Sequence, residues 1–345
     1  MKNRKIPVLF ARRGGSRTAP TQRSALVVSH GPFCLDGVAA AACVGRFYGE
    51  SQVTPVFAHP SEVDRVIEEA TRASKEPRDL WIADITWKDQ KTEKLFKTLI
   101  RQGWRIFWID HHTIALEKDE KEIRALGLTG WVASNRFSAA RLLYDYLISA
   151  EALLGKAPSS LKRFEKVVLL ADDNDRWVHK LRGSRELALT VAALGGTVAY
   201  RELLHLNADA RYSTKMEAAY RTASRELSDS IALAMRTRLE KTAVDGLKIV
   251  AALCKGYTSE VAEALRQAMT KHSVRNAPHA IFLLYNLEDQ RISLRKTPAC
   301  EVDLARLAGR FGGGGHPAAS GFELPEAQGY LQNYLADRLK QALTE

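Results

Sequence analysis

Residues 79–112 read DLWIADITWKDQKTEKLFKTLIRQGWRIFWIDHH, and the reading of this stretch decides the fold. Two apolar runs, DLWIADI and WRIFWIDHH, flank TEKLFKTLIRQG, whose apolar residues recur at helical spacing and which stops at Gly103. A strand that is apolar on both faces, a helix and a second such strand make a βαβ unit, so the sheet is predicted to be parallel and covered on both sides.

The same alternation runs outward in both directions. ALVVSH (25–30) reads as a strand and DGVAAAACVGRFYG (36–49) as a helix rich in small residues. TPVFAH (54–59) is a second strand, and SEVDRVIEEATRAS (61–74) a helix with Ser61 as its expected cap and Glu62 and Asp64 near its positive end. ASNRFSAARLLYDYLISAEALL (133–154) and SSLKRFEKVVLLADDNDRW (159–177) have helical spacing throughout. From Ser184 to Thr242 the pattern is almost wholly helical, broken at Gly195 and Gly196, which suits a connection between domains. A second α/β region follows: LKIVAAL, SEVAEALRQAMTKHS, HAIFLLYNLED, RISLRK, VDLARLAGRF and GGGGHPAASGFEL predict strand, helix, strand, strand, helix, strand.

The fold expected is therefore α/β: an N-terminal parallel-sheet domain over 24–183, a helical connection over 184–242 and a smaller α/β domain over 243–345. Residues 1–23 form a basic leader with little to build a core from and are predicted to be disordered. They carry Lys2, Arg4, Lys5, Arg12, Arg13, Arg17 and Arg23 with no acid, which is +7 of the net +11, so the other residues hold only +4. The leader is either a solvated extension or a tail for nucleic acid. No apolar run approaches the roughly 18 residues that span a bilayer. The four cysteines lack zinc or disulfide spacing, so a cytoplasmic protein with no membrane contact is expected.

Residues able to hold a metal fall at the ends of these strands. His30, Cys34 and Asp36 follow the first strand in HGPFCLDG, Asp84 closes DLWIAD, and Asp110, His111 and His112 close WRIFWIDHH. Taken alone, HGPFCLDG reads as a metal loop, a reactive thiol or an ordinary turn. Ligands of an open parallel sheet gather outside the carboxyl ends of its strands, and three strands deliver these groups to one edge. A mixed set of imidazoles and carboxylates suits Mn²⁺ or another borderline divalent ion, and a carboxylate shared by two ions suits a two-metal hydrolase. ADDND adds Asp172, Asp173 and Asp175 as candidates for a further ligand. In the second region, GGGGH at 312–316 lets backbone N–H groups of Gly313, Gly314 and Gly315 approach an anion. With His316 directly behind them and Arg295 on a predicted strand, the segment reads as a phosphate or nucleotide clamp.

DHH at 110–112 together with GGGGHPAASGF at 312–322, in this order and at this distance, resembles the DHH phosphoesterases that carry the associated C-terminal DHH domain. The resemblance spans roughly residues 25–325. It implies two α/β domains, a centre of two Mn²⁺ ions in the first, and a second domain that binds substrate. By position it implies His30 on the first ion, Asp36 on the second, and Asp84 bridging both. His111 and one aspartate of ADDND, with Asp173 chosen for its spacing to Trp177, would complete the second site. His112 would face the scissile phosphate, with Asp110 supporting the histidine pair and counted with Asp84 and His112 as catalytic. Arg295, Gly313, Gly314, Gly315 and His316 would bind the substrate's far phosphate or base. One departure stands out: the family has an aspartate two residues before the carboxylate of Asp36, and this chain has Cys34. A thiolate there is a softer donor, which brings zinc, iron or cobalt into consideration.

The activity so implied is hydrolysis of short oligoribonucleotides or dinucleotides to 5′-mononucleotides. Two alternatives share the residues: removal of a phosphate from 3′-phosphoadenosine 5′-phosphate, and nucleotide binding with little catalysis. The expected partners are short oligonucleotides, dinucleotides or nucleotide phosphates, and a homodimer is admissible.

Overall fold

The computed structural model describes residues 9–10, 23–74, 76–243, 246–270, 279–323, 333, 336–337 and 339–340. The chain divides into two compact units, residues 1–223 and 224–345.

The first unit is built on a six-stranded sheet. Its strands are β1 (Leu9–Phe10), β2 (Ala25–His30), β3 (Val53–Ala58), β4 (Asp79–Ala83), β5 (Arg105–Asp110) and β6 (Gly130–Ala133), in the order β1-β6-β5-β4-β2-β3. β2 to β6 are mutually parallel, and β1 pairs antiparallel with β6. Alternate residues explain the continuous apolar runs. Val27, Trp81, Ala83, Phe107 and Ile109 face one core, which contains the helices Leu35–Tyr48, Ala139–Ser149, Glu165–Asp175, Ser184–Leu194 and Gly196–His205. Leu26, Val28, Leu80, Ile82, Ile106 and Trp108 face the other, with the helices Val63–Ala73, Gln90–Arg101 and Glu120–Leu126. The small side chains of DGVAAAACVG let helix Leu35–Tyr48 sit fully buried from Leu35 to Gly45.

The second unit holds a mixed sheet of β7 (Leu239–Thr242), β8 (Lys248–Cys254), β9 (Ala280–Asn286), β10 (Arg291–Lys296), β11 (Gly314–His316) and β12 (Ala319–Glu323). Their order is β11-β12-β10-β9-β8-β7, with only β8 and β9 parallel. Helix Thr258–Thr270 supplies Val261 and Leu265 to the core on one face, and helix Leu304–Gly309 supplies Leu304 and Ala308 on the other.

Four local readings change. The four-residue β6 was not expected, because GWVA is too short to show a period. The helical run from Ser184 ends at Thr237, and Leu239–Thr242 is a strand pairing with β8. GGGGHPAASGFEL makes two strands rather than one. Ser61 does not cap its helix: Glu62 occupies the cap position, and the Ser61 hydroxyl bonds His59 Nδ1 at 2.8 Å. Of the basic leader, residues 1–8 and 11–22 lie outside the described residues. Arg23, counted with it, is anchored: its guanidinium donates to Asp79 Oδ1 at 2.9 Å and to the Gly103 carbonyl at 2.8 Å.

Candidate metal centre

Parallel register brings the predicted residues level. Ser29 lies beside Ala83, and Ala83 beside Ile109, so the chain leaves β2, β4 and β5 together at His30, Asp84 and Asp110. Asp84 leaves its strand at φ 59°, a left-handed conformation that aspartate tolerates better than most residues, and its N–H donates to the Ile109 carbonyl. That turn aims a carboxylate only 2% exposed into the space between the neighbouring strand ends.

Two sets of donors meet on this carboxylate. Asp84 Oδ2 lies 3.5 Å from His30 Nδ1 and 3.5 Å from Cys34 Sγ. Asp84 Oδ1 lies 3.2 Å from His111 Nε2, which is itself 3.8 Å from Asp36 Oδ2 and 3.7 Å from Asp175 Oδ2. Three groups with metal-ligand spacing result: His30–Cys34–Asp84, Asp36–His111–Asp175 and Asp84–Asp110–His111–His112; Asp84 belongs to the first and third, and its Oδ1 touches His111 of the second.

Neighbouring backbone fixes these side chains. Asp36, 1% exposed, accepts the N–H groups of Ala139 at 2.7 Å and Ala140 at 2.9 Å, the first two residues of helix Ala139–Ser149. The positive end of that helix therefore orients a buried carboxylate. Asp110, fully buried, accepts the N–H groups of His111 and His112, the His112 Nδ1 at 2.8 Å and the Thr86 hydroxyl. It organises both histidines and engages Nδ1 of the half-exposed His112, which leaves Nε2 outside that bond. Thr86 and the N–H groups of Ala139 and Ala140 carry no sequence signature and were not anticipated.

ADDND is sorted by direction. Asp172 Oδ1 accepts from the Ser138 N–H at 2.8 Å and its Oδ2 lies 3.5 Å from Arg176. Asp173, the aspartate chosen from spacing, turns away from His111: its oxygens accept the N–H groups of Lys180 at 2.9 Å and Leu181 at 3.2 Å. Asp175, at the end of the helix, is the member that reaches His111.

Electrostatics tests whether the residues fit a cation. Burial, reinforced by Asp84 and Asp175, pushes the Asp36 carboxyl well above its usual range. Burial likewise pushes Asp175 up to about 6, against the attraction of His111. Burial opposes charging of His111, but its bond to Asp84 and the charges of Asp36 and Asp175 outweigh this and hold it up to about 10. At Asp84 the penalty of burial is overcome by bonds from His111 and His30, and the carboxyl stays well below its usual value. Asp36 and Asp175 are thus pushed toward protonation while His111 holds a proton beside the ionised Asp84, which relieves the mutual repulsion of the three carboxylates. Divalent cations relieve it directly, and the oxygen and imidazole donors suit them, so the residues fit a metal centre.

Gly37 is the tightest point of the frame. A Cβ there would lie 2.0 Å from the His30 carbonyl oxygen, which cannot move without shifting the end of β2. Gly37→Ala is expected to cost about 1–3 kcal/mol by overpacking, seen as a fall in Tm, and to weaken metal binding through His30.

In the second unit, Arg295 and His316 both register opposite Ala319, from β10 and β11 on either side of β12, so their side chains emerge on the same face. The Arg295 guanidinium lies on the Ser259 hydroxyl at 3.0 Å, and His316 is exposed. Gly315 has φ 140° and would place a Cβ 2.7 Å from Ser320 Cα, and Gly313 would place one 2.3 Å from the Gly321 carbonyl oxygen. Only glycine packs against β12 at these two positions, whereas Gly314 has open space.

No protein-family model matches the chain. Oligoribonuclease NrnB of Bacillus subtilis is 25% identical over 301 residues, covering 85% of this chain and 71% of that protein. A solved DHH domain, described as that of a member of a ribosomal-protein family, superposes with a TM-score of 0.61 at 15% identity, over 92% of this chain and 87% of its own. A pGpG-specific phosphodiesterase of Vibrio cholerae superposes with a TM-score of 0.51 at 13% identity, over 92% of this chain and 99% of its own. The likenesses cover both units, and the stretches that carry the sequence resemblance fall at the end of β5 and in the β11–β12 hairpin. The chain is thus similar in sequence to an oligoribonuclease and shares its fold with a solved DHH domain.

Proposed function

We propose that the protein is a metal-dependent phosphodiesterase that hydrolyses short oligoribonucleotides or dinucleotides to 5′-mononucleotides. The observation that carries this reading is the position of Asp84, whose two oxygens face two separate donor groups. His30, Cys34 and Asp84 would hold one divalent ion, and Asp36, Asp84, His111 and Asp175 the other, with Asp175 in place of Asp173. When bound, such a pair acidifies an attacking water and offsets the charge of the phosphate.

The side chains supply the rest. Asp110 grips His112 through Nδ1 and fixes the direction of its outer nitrogen. Burial disfavours the imidazolium, but the Asp110 bond more than compensates and raises His112 above its ordinary value. A protonated His112 then attracts a phosphate oxygen and can give its proton to the departing ribose oxygen. Arg295, His316 and the backbone of Gly314 and Gly315 would take the second phosphate or base, which favours nucleotides over bare pyrophosphate; the Gly313 N–H, expected to join them, instead donates to the Ala308 carbonyl at 3.0 Å. The named activities of the Bacillus and Vibrio relatives support a short nucleotide substrate. The free cysteines fit the reducing cytoplasm as its workplace.

The test is a panel of dinucleotides, oligoribonucleotides of two to five residues, 3′-phosphoadenosine 5′-phosphate and polyphosphate, each with Mn²⁺, Zn²⁺ and Co²⁺. The reading expects 5′-mononucleotides from the dinucleotide with the highest kcat/KM. Cleavage of 3′-phosphoadenosine 5′-phosphate or polyphosphate without any dinucleotide hydrolysis would overturn it.

Ligation also has a pH signature. With a value of about 10 in the metal-free protein, His111 is protonated at pH 8 and must lose that proton to bind an ion. Calorimetry at pH 8 in buffers of different ionisation enthalpy should show at least one proton released as the centre fills. Apparent affinity should rise with pH up to about 10, and binding without proton release at pH 8 would contradict the assignment of His111.

A further inference from the structure

Of the four cysteines, Cys43, Cys254 and Cys300 are buried within the hydrophobic cores. Cys34 is partly open and faces carboxylates. It occupies the cap position of helix Leu35–Tyr48, one residue before the helix begins and two before the buried Asp36. Its sulfur, His30 Nδ1 and the carboxylate of Asp84 belong to one group whose ligand atoms all lie within 4.8 Å of one another. Donors on a single tetrahedral ion, at bond lengths of about 2.0–2.3 Å, stand roughly 3.3–3.7 Å apart. Both the sulfur and the imidazole nitrogen lie 3.5 Å from Asp84 Oδ2.

We infer that Cys34 is a metal ligand, and that it makes the His30–Cys34–Asp84 position selective for a softer divalent ion such as zinc, cobalt or iron over manganese. The inference rests on the two-position centre proposed above and adds the chemistry that divides its halves. One position has sulfur, nitrogen and oxygen donors; the other has the carboxylates of Asp36 and Asp175 with the His111 imidazole and suits manganese. The sheet supplies the reason for the division. Cys34 belongs to the loop leaving β2, whereas Asp36 is already within the helix, held by the Ala139 and Ala140 N–H groups. Two residues apart, Cys34 meets Asp84 Oδ2 directly, whereas Asp36 faces His111, whose Nε2 lies 3.2 Å from Asp84 Oδ1. The centre is then heterometallic in preference, and replacing Cys34 changes metal choice at one position only.

The experiment uses the full chain, stripped of metal and titrated with Co²⁺. Equilibrium dialysis counts bound ions while near-ultraviolet absorption reports thiolate-to-cobalt charge transfer. The wild-type protein is expected to bind two Co²⁺ and develop the charge-transfer band. Cys34→Ser and Cys34→Asp should lose the band although Cys43, Cys254 and Cys300 remain. In dialysis against equal Zn²⁺ and Mn²⁺, Cys34→Asp should shift the retained zinc-to-manganese ratio about tenfold or more toward manganese. Two bound Co²⁺ without the band, a band that survives in Cys34→Ser, or an unchanged metal ratio in Cys34→Asp would overturn the role of Cys34 while leaving the two-position centre standing. Failure of the wild type to bind any Co²⁺, Zn²⁺ or Mn²⁺ would overturn both.

Discussion

Asp84→Asn is expected to lower kcat on a dinucleotide by roughly 10³-fold or more, equivalent to about 4 kcal/mol of transition-state stabilisation. Asparagine keeps the volume, and like aspartate it tolerates the left-handed backbone at φ 59°, so the turn after β4 survives. What is lost is the charge that faces His30 and Cys34 through one oxygen and His111 through the other. Neither donor set is complete without it, so metal content should fall at both positions together. Removal of a ligand that served one ion would leave the other in place. The substitution also has a cost without metal. The Asp84 carboxyl is held below its usual value, so its ionised form contributes stability that is present above about pH 4 and lost as the pH falls further. The metal-free variant should accordingly have a lower Tm than the metal-free wild type at pH 7. Turnover within tenfold of wild type at full folding would remove Asp84 from the shared position.

The legible part of this protein was whatever carries a period or a motif. DLWIADI and WRIFWIDHH had to be buried strands, because apolar residues on both faces fit only a covered parallel sheet. Strand ends in such a sheet lie side by side, so the sequence alone places His30, Asp84 and Asp110 on one edge. Side-chain direction at a helix end was not legible. Asp172, Asp173 and Asp175 occupy one turn, and a shift of one residue rotates a side chain by about 100° around the axis. Which aspartate reaches His111 depends on where the chain goes afterwards, with Lys180 and Leu181 returning to claim Asp173. Backbone donors were invisible for a similar reason. The N–H groups of Ala139 and Ala140 serve Asp36 across more than a hundred residues of sequence, and nothing in the residue type alanine announces it.

Asp175→Asn and Asp173→Ala are expected to fail in opposite ways, which makes the pair decisive for the acidic cluster. Asp175 lies 3.7 Å from His111 and, chiefly through burial, is pushed up to about 6. An acid whose folded value exceeds its unfolded one, near 4, loses stability for the fold as pH rises through that interval, because the charged form is the disfavoured one. At pH 7.5 the metal-free Asp175→Asn variant should therefore have a higher Tm than metal-free wild type. It should nonetheless bind one ion in place of two and lose about 10²-fold or more in kcat, since the neutral amide is a poor ligand. Asp173 has the reverse profile. Burial opposes its charge, but the Ser184 side chain and the N–H groups of Lys180 and Leu181 bond to it and hold its carboxyl below the usual value. Asp173→Ala leaves two backbone donors unmet and should cost about 1–3 kcal/mol, lowering Tm with or without metal. Each folded molecule should still hold two ions and turn over at nearly the wild-type rate. The discriminating measurement is metal stoichiometry beside Tm for both variants. Two ions retained in Asp175→Asn, with one lost in Asp173→Ala, would return the ligand to Asp173 and require the turn from Trp177 to Leu181 to rearrange when the centre fills.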